Sequence, residues 1–327
     1  MAMKGFSQRW ADFPDYILGI TKDIWEDRGI ATLEHFYAPD VIVRMPGGIS
    51  QGNRASINST LAVLAELPDR QLLGEDIIWS GSDETGDLLS SHRLMSTATH
   101  SKDGAYGAAT GKQLRYRIIA DCAAVDDAIY DEWLIRDNGA IVRQVGWDLP
   151  SYARHLIESE GGAEKASRPF TPANDIAGRY QSRGNDHEAG EQYATTLKAL
   201  MRADFSAVRR DYDRACQIEM PGYRSDHGWQ AVDGFWLPLR AAFPNAEFEI
   251  HHQIGRDDQD GFPVRAALRW SLTGKHEGHG PFGPPSGAEV YIMGASHAEY
   301  GPWGLRREFV LYDEVAIWKQ ILLHQGG

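Results

Sequence analysis

The chain has 327 residues, enough for two domains of ordinary size, and its 42% hydrophobic and 24% charged residues are typical of globular proteins. Its formal net charge of -13 excludes nucleic acid and anionic membrane as main partners, because phosphate binding needs a basic surface. No apolar run is long enough to span a membrane, and we expect no signal peptide. Cys122 and Cys216 lie far apart, which favours free thiols and a cytoplasmic protein.

The first half begins with helices and continues with strands. Apolar residues at helical spacing predict helices at residues 17–25 and 33–37, and a brief strand at residues 41–45 stops at Pro-Gly. A third helix covers residues 54–67 and ends at a proline. The pattern is then strand-like as far as a helical run after Asp137. Helices followed by antiparallel strands indicate an α+β fold.

The same order of elements recurs at an offset of 175 and then 176 residues. Glu132 and Asp137 of the first copy match Glu308 and Asp313 of the second. One register that persists for about a hundred residues indicates duplication of a whole domain, since solenoid repeats are much shorter. We therefore expect two tandem domains, residues 1–159 and 186–327, joined by a linker at residues 160–185. Duplicated domains can preserve an ancestral dimer contact, so we expect a pseudo-dimer within one chain, itself a monomer or a homodimer.

A set of residues in the second half carries a family resemblance. They are Trp270, Thr273-Gly274, His276, Gly278 and the Gly-Pro-Pro-Ser-Gly loop at residues 283–287. From residue 186 to its end, the chain resembles the SnoaL-like polyketide cyclase family. The first half resembles it more loosely, because Ala-Ala-Thr-Gly at residues 108–111 replaces that loop. The resemblance implies the nuclear transport factor 2-like cone in each half, with helices packed on a curved antiparallel sheet.

The resemblance also implies a type of chemistry. Cyclases that this chain resembles close a ring by intramolecular aldol condensation, using an aspartate acid/base and no metal or organic cofactor. We therefore expect a cofactor-independent cyclase, lyase or isomerase that acts on a small hydrophobic carbonyl compound. The same fold also hosts non-catalytic binders, so a small-molecule-binding protein is the alternative and a purely structural dimer module is a third. Motifs for nucleotide binding and for nucleophilic catalysis are absent from the sequence.

Two aspartates are the candidate acid/base residues. Period-two alternation places Asp137 on the strand face that carries Trp133, and Asp313 on the face that carries Phe309. We expect both aromatic residues to contact substrate in an apolar pocket, which would raise the pKa of each carboxylate toward neutral pH. The alternative role is that of a helix N-cap, since a helical run begins just after each aspartate.

Two further polar residues precede these aspartates at equivalent positions. If residues 125–128 and 301–304 form hairpin turns, Asp121 pairs with Trp133 and His297 pairs with Phe309. His297 is then a candidate catalytic partner for a substrate oxygen, and Asp121 is a candidate substrate contact. A structural role is the alternative for such a histidine.

Three more residues of the second half are candidates for substrate binding. Trp270 either walls an aromatic pocket or belongs to the core. Arg269 binds a substrate carboxylate or enolate, or it forms an ion pair. His276 and His279 have a spacing that occurs in metal sites, but no further ligand follows nearby, so we predict no metal.

The sequence predicts that the second half is the active one, because it keeps the proline-rich loop and has His297 where the first half has Asp121. We therefore expect Asp313→Asn to abolish activity and Asp137→Asn to cost less, provided that both variants fold. Steady-state kinetics of the two variants checks this. Equal losses would indicate two equivalent sites, and no loss from Asp313→Asn would leave that residue as a helix cap.

Overall fold

The computed structural model describes residues 3–82, 88–259 and 261–326; the outer limits of the two expected domains, residues 1 and 327, lie outside it. The chain forms two compact units. The first extends to Arg136 and includes Ala140–Trp147 and Phe170–Ser182, and the second contains Asp137–Gly139, Asp148–Pro169 and the chain from Arg183 onward. Within the described residues, each unit combines one six-stranded sheet with helices, so the structure is α+β with two tandem bodies.

The first half builds its sheet after its first helices. Its elements are α1 (Phe13–Thr21) with a π-helical extension (Lys22–Glu26), a 3₁₀ turn (Ile30–Thr32), α2 (Leu33–Phe36), β1 (Tyr37–Met45), β2 (Gly48–Gln51), α3 (Asn53–Glu66), β3 (Gln71–Ser80), β4 (Leu88–Thr99), β5 (Gln113–Val125), β6 (Ala128–Arg136) and α4 (Asn138–Val145). The strand order is β2-β1-β6-β5-β4-β3. These positions confirm the helices and the strand expected from the sequence.

The second half repeats this order. Its elements are α5 (Leu149–Ser159), a 3₁₀ turn of the first unit (Pro172–Asn174), α6 (Glu188–Met201), α7 (Ser206–Asp211), β7 (Tyr212–Met220), β8 (Arg224–His227), α8 (Trp229–Ala242), β9 (Glu247–Arg256), β10 (Arg265–Lys275), β11 (Glu289–Gly301), β12 (Gly304–Tyr312) and α9 (Glu314–His324). The strand order is β8-β7-β12-β11-β10-β9. None of the helices in the described part of the chain is long and apolar enough to cross a membrane.

The sheets differ from the expected antiparallel arrangement at one pairing each. β1 runs parallel to β6, and β7 runs parallel to β12, whereas the other neighbours are antiparallel. A parallel pair needs a long crossover connection, and here helices and strands separate the two partners in sequence. The long strands β3 to β6 and β9 to β12 form antiparallel hairpins as expected, including turns at residues 125–128 and 301–304.

Helix α5 was not foreseen in the sequence. The Asp148 carboxylate accepts a hydrogen bond from the Ser151 amide at 3.0 Å, and a proline occupies the first turn, so the helix has a strong start signal. Its buried residue Ile157 belongs to the same apolar cluster as Leu322 of α9. α5 therefore belongs to the second unit, although the expected first domain extends to residue 159.

The residues expected to form a linker are held by specific contacts. In the first unit, the buried Arg44 guanidinium binds Asp131 at 2.8 Å and Asp175 at 2.6 Å. The Tyr180 amide donates to Asp131 at 2.9 Å. In the second unit, Arg183 donates to the Ile250 carbonyl oxygen at 2.7 Å. Residues 170–185 are therefore packed segments of the two units rather than a free tether.

The two halves differ in how they fill the space between the sheet and the helices. In the second half, the fully buried Trp270 packs beside Trp236 of α8, with ring centroids 6.0 Å apart. Gly294 is paired with Trp270 across the sheet, and a Cβ at that position would overlap the indole ring. The glycine is therefore required by the large ring beside it.

In the first half, smaller side chains occupy the matching positions. Leu94 replaces Trp270, and Ile118 is its partner across the sheet where the second half has Gly294. At the offset of 176, Thr60 of α3 replaces Trp236. Among the described residues, the buried apolar side chains between sheet and helices are divided between separate clusters in the first half, whereas those of the second half belong to one large cluster. The first half thus has room between its sheet and its helices.

This difference yields a prediction about stability. We expect Gly294→Ile to lower the free energy of unfolding by about 1–3 kcal/mol or more, because the new side chain overpacks against Trp270. Adding Trp270→Leu recreates the Leu94 and Ile118 pair of the first half and restores part of the loss. Urea denaturation of both single variants and the double variant measures the coupling. Additive losses would contradict the matched-pair account.

Candidate active site

The first half contains a cavity of about 120 Å³. Side chains from α1, α3 and the inner face of the sheet line it, and most of them are apolar. The polar side chains that define its chemistry are Tyr37, Arg70, His92, Cys122, Glu132 and Arg136. The cavity lies between apolar clusters of the first half, where Thr60 and Leu94 are smaller than the tryptophans at the matching positions and leave space.

Glu132 is a buried carboxyl group in the wall of this cavity. It is 5% exposed, and burial raises its pKa to about 7, while a hydrogen bond from Tyr37 partly opposes that rise. The pKa of Tyr37 is itself raised well above its ordinary value by burial and by the nearby carboxylate, so its hydroxyl stays protonated and donates. The ion pairs described for residues 3–82, 88–259 and 261–326 do not include Glu132. Desolvation therefore brings the pKa of this carboxyl group close to neutral pH, where it can act as a base.

His92 lies in the middle of the cavity wall. It is 2% exposed, and its Nε2 atom has no hydrogen-bond partner in the described structure. Burial and then the charge of Arg93 lower its pKa to about 3, so the imidazole is neutral at physiological pH. A neutral ring can donate from one nitrogen and accept at the other. The Nε2 atom of His92 is therefore available to form a hydrogen bond with a ligand.

Two arginines lie at the other end of the cavity. The Nε of Arg70 donates to the Tyr116 hydroxyl at 2.9 Å and to the Ser96 hydroxyl at 3.3 Å. Arg70 is 5% exposed, and burial lowers its pKa from the ordinary value. Arg136 also lines the cavity, and its charge disfavours that of Arg70. This end therefore concentrates positive charge.

The strand registers fix the spacing of these residues along the sheet. Glu132 of β6 lies opposite Cys122 of β5, and Arg136 of β6 lies opposite Ile118. Four residues along a strand span roughly 13 Å at 3.3 Å per residue. His92, paired with Ala120, lies in the row between them. The cavity is thus polarised, with a carboxyl at one end, two guanidinium groups at the other and apolar side chains between.

The second half keeps the carboxyl group but surrounds it differently. Glu308 is fully buried and accepts hydrogen bonds from the Tyr193 hydroxyl at 2.9 Å and from the Trp236 indole at 3.3 Å. Burial raises its pKa to about 7, and these hydrogen bonds only partly oppose the rise. Trp236 and Trp270 occupy the space that is open in the first half. In this half the carboxyl group is enclosed by aromatic side chains.

Four candidate residues from the sequence, namely Asp121, Trp133, His297 and Phe309, lie on the opposite face of their sheets. Asp121 pairs with Trp133, and His297 pairs with Phe309, as expected. However, the interior clusters and the cavity take residues of the other parity, such as Glu132 and Glu308. The expected placement of His297 on the pocket face is therefore wrong by one position of the alternation. A shift of one residue moves every side chain of a strand to the other face.

The two candidate aspartates are engaged in backbone hydrogen bonds within the second unit. The Asp313 carboxylate caps α9, accepting from the Val315 amide at 2.9 Å and from the Asn138 side chain at 2.7 Å. Asp137 accepts from the Gly222 and Tyr223 amides, each at 2.9 Å. Burial raises the pKa of Asp313 to about 7. The structure confirms the cap at Asp313, and the catalytic roles of Asp313, His297 and Asp137 stay predictions.

The remaining candidates are also buried in the second half. The Trp270 indole donates to the Ser296 hydroxyl at 2.8 Å inside the aromatic cluster. A ring nitrogen of His276 lies 3.0 Å from the Ser286 hydroxyl, and burial lowers the pKa of this histidine. Arg269 is 7% exposed on the sheet face that carries His297. Within the described residues, no three His, Cys, Asp or Glu side chains cluster closely enough to hold a metal ion.

A comparison with known protein families matches part of this chain. Residues 192–300 match the SnoaL-like domain. The match covers much of the second unit, whereas the cavity lies in the first. A comparison with curated proteins found no match.

Several solved structures are similar to parts of this chain. IdmH from Streptomyces antibioticus aligns at 22% identity over 41% of this chain and 97% of its own, with a TM-score of 0.36. A SnoaL-like polyketide cyclase from Agrobacterium tumefaciens aligns at 18% identity over 41% of this chain and 98% of its own, with a TM-score of 0.33. AclR from Streptomyces galilaeus aligns at 16% identity over 41% and 94%, with a TM-score of 0.36.

The buried Glu308 gives a pH-dependent prediction. Its folded pKa of about 7 lies above its ordinary value of 4.5, so its contribution to stability is full below pH 4.5 and is lost as the pH rises through about 7. We expect the free energy of unfolding of Glu308→Gln to exceed that of wild type by on the order of 3 kcal/mol at about pH 8. The gain should be smaller at about pH 5. Urea denaturation at both pH values measures this.

The matched control for this prediction is Glu247→Gln, since Glu247 is exposed on β9. That variant should follow wild type at both pH values. A gain for Glu308→Gln that did not change with pH would contradict the account, because it would show that ionisation of the buried carboxyl group has no cost.

Proposed function

We propose that the first half, in place of the second half that the sequence favoured, is the active half and catalyses proton transfer next to a carbonyl group of a small, largely apolar molecule. The observation that carries the proposal is a buried carboxyl group, Glu132, in the wall of an apolar cavity, with its pKa raised to about 7 by burial. A carboxylate with such a pKa can take a proton and return it at neutral pH. Perturbed acids in clefts are typical of active sites.

The cavity residues support a specific division of labour. Glu132 takes the proton from the carbon next to the carbonyl group, and the Tyr37 hydroxyl holds the carboxylate in place. The substrate carbon–hydrogen bond breaks, and its electron pair forms an enolate. His92, one row along the sheet, is suitably placed to hydrogen-bond the enolate oxygen through a nitrogen that carries hydrogen.

The likeness of residues 192–300 to the SnoaL-like domain supports an aldol-type continuation. In that step the enolate carbon attacks a second carbonyl group of the same molecule, and a carbon–carbon bond forms. The proton held by Glu132 passes to the new alkoxide, so the overall reaction is an isomerisation with no cofactor. This polyketide cyclase-like reaction, of the lyase or isomerase type, is the finer form of the proposal.

The test is deuterium exchange at the carbon next to the carbonyl group of 1-indanone in D₂O, followed by proton NMR. We expect wild-type protein to accelerate exchange and Glu132→Gln to lower the protein-dependent rate at least about 100-fold. Glu308→Gln is the matched control, because its carboxyl group is enclosed by aromatic side chains, and it should keep the wild-type rate. Because the carboxylate is the active form, the rate should rise with pH through a midpoint near 7.

Two results would count against this proposal. Binding of 1-indanone without any acceleration of exchange would favour the alternative function, a non-catalytic small-molecule-binding protein. Loss of exchange in Asp313→Asn but not in Glu132→Gln would assign the chemistry to the second half, where the raised pKa of Asp313 supports the role predicted from the sequence. Circular dichroism of each variant checks that it is folded.

A further inference from the structure

We infer that the ligand of the first-half cavity carries an anionic oxygen group, such as a carboxylate, which binds at the Arg70 end while the apolar body extends toward Glu132. The inference rests on the proposed function in using the same cavity, and it adds the charge and the orientation of the substrate. Nothing in the family likeness specifies this feature.

Arg70 carries a buried charge that faces no described carboxylate. Its Nε hydrogen bonds go to the hydroxyl groups of Tyr116 and Ser96, and, against the effect of burial, the nearby arginines lower the pKa of Tyr116 without making it a full counter-charge. Within residues 3–82, 88–259 and 261–326, Arg70 takes part in none of the described ion pairs. A buried charge is costly unless an opposite charge faces it. A bound anion would supply that charge.

A second cation lines the same space. Arg136 lies on the strand pair that carries Ile118. Besides burial, its charge lowers the pKa of Arg70, so an anion bound beside Arg70 would offset that repulsion. Guanidinium groups bind carboxylates through two parallel hydrogen bonds, which also fixes the orientation of a ligand.

The two halves differ at the positions of these arginines. At the matching positions, the second half has Ala246 in place of Arg70 and Tyr312 in place of Arg136. Neither residue is charged, and the space is occupied by aromatic rings instead. The two arginines therefore occur in the half that has the cavity, which a purely structural role in the shared fold does not require.

The Glu132 and Arg136 positions lie roughly 13 Å apart along β6. This separation determines how a charged ligand is oriented in the cavity. An acid group at the Arg70 end keeps the negative charge far from Glu132. The apolar body then lies along Leu72, Leu94 and Leu134, and the reacting carbon reaches the carboxyl end. Reversing the molecule would place two negative charges together.

The test compares two probes of the same shape by isothermal titration calorimetry at neutral pH. They are 2-naphthoate, which carries a carboxylate, and 2-naphthamide, its neutral counterpart. We expect wild-type protein to bind 2-naphthoate at least about 10-fold more tightly. Arg70→Met should remove this preference, whereas Arg70→Lys, which keeps the charge, should retain part of it. Equal affinities of wild type for both probes, or no binding of either, would overturn the inference.

Two controls separate this inference from the proposed function. Glu132→Gln should keep the preference for 2-naphthoate even though it loses exchange activity, because the anion binds at the other end of the cavity. A preserved preference without any exchange activity would sink the proposed chemistry alone. If Arg70→Met does not fold, Arg136→Met takes its place, and an unchanged preference in a folded arginine variant would refute the assignment of the anion to this end.

Discussion

The space between sheet and helices in each half is set by the size of a few side chains on the inner face of the sheet. Trp270 fits in the second half because Gly294 beside it has no side chain. In the first half, the paired residues Leu94 and Ile118 occupy the matching positions, and neither side chain reaches the volume of an indole ring. One duplicated framework therefore yields a packed interior in one copy and a cavity in the other.

A buried glutamate survives in both interiors, although it is costly in each. Tyr193 and Trp236 hydrogen-bond Glu308, which limits the cost but leaves its pKa near 7. Glu132 has the same raised pKa but faces open space. The same residue can thus serve as a satisfied core acid in one half and as an accessible base in the other. The environment, and not the residue type, decides the role.

The order of elements could be predicted from the sequence, because apolar periodicity and proline signals mark helices α1, α3 and α8 directly. The hairpin pairing of His297 with Phe309 followed from the turn positions. The inner face of the sheet could not be assigned in the same way. Asp131 is 0% exposed and Glu132 is 5% exposed on neighbouring positions, so both faces of β6 are buried and alternation does not show which one lines the interior.

The cavity could not be predicted from the sequence of one half alone. A glutamate that follows an aspartate, as Glu132 follows Asp131, resembles a solvent-facing position until its burial is known. The one signal available in the sequence was the offset of 176, which aligns Thr60 with Trp236 and Leu94 with Trp270. Comparing side-chain volumes at these matched positions would have shown the first half to be the more open one.

The most direct test of this account is a crystal structure of the protein soaked with 6-bromo-2-naphthoate, with the bromine located by its anomalous signal. The account predicts a peak inside the first half, with the carboxylate within hydrogen-bonding distance of Arg70 and the ring between Leu94 and Glu132. A peak only in the second half, or only on the protein surface, would contradict the claim that the first half holds the ligand site.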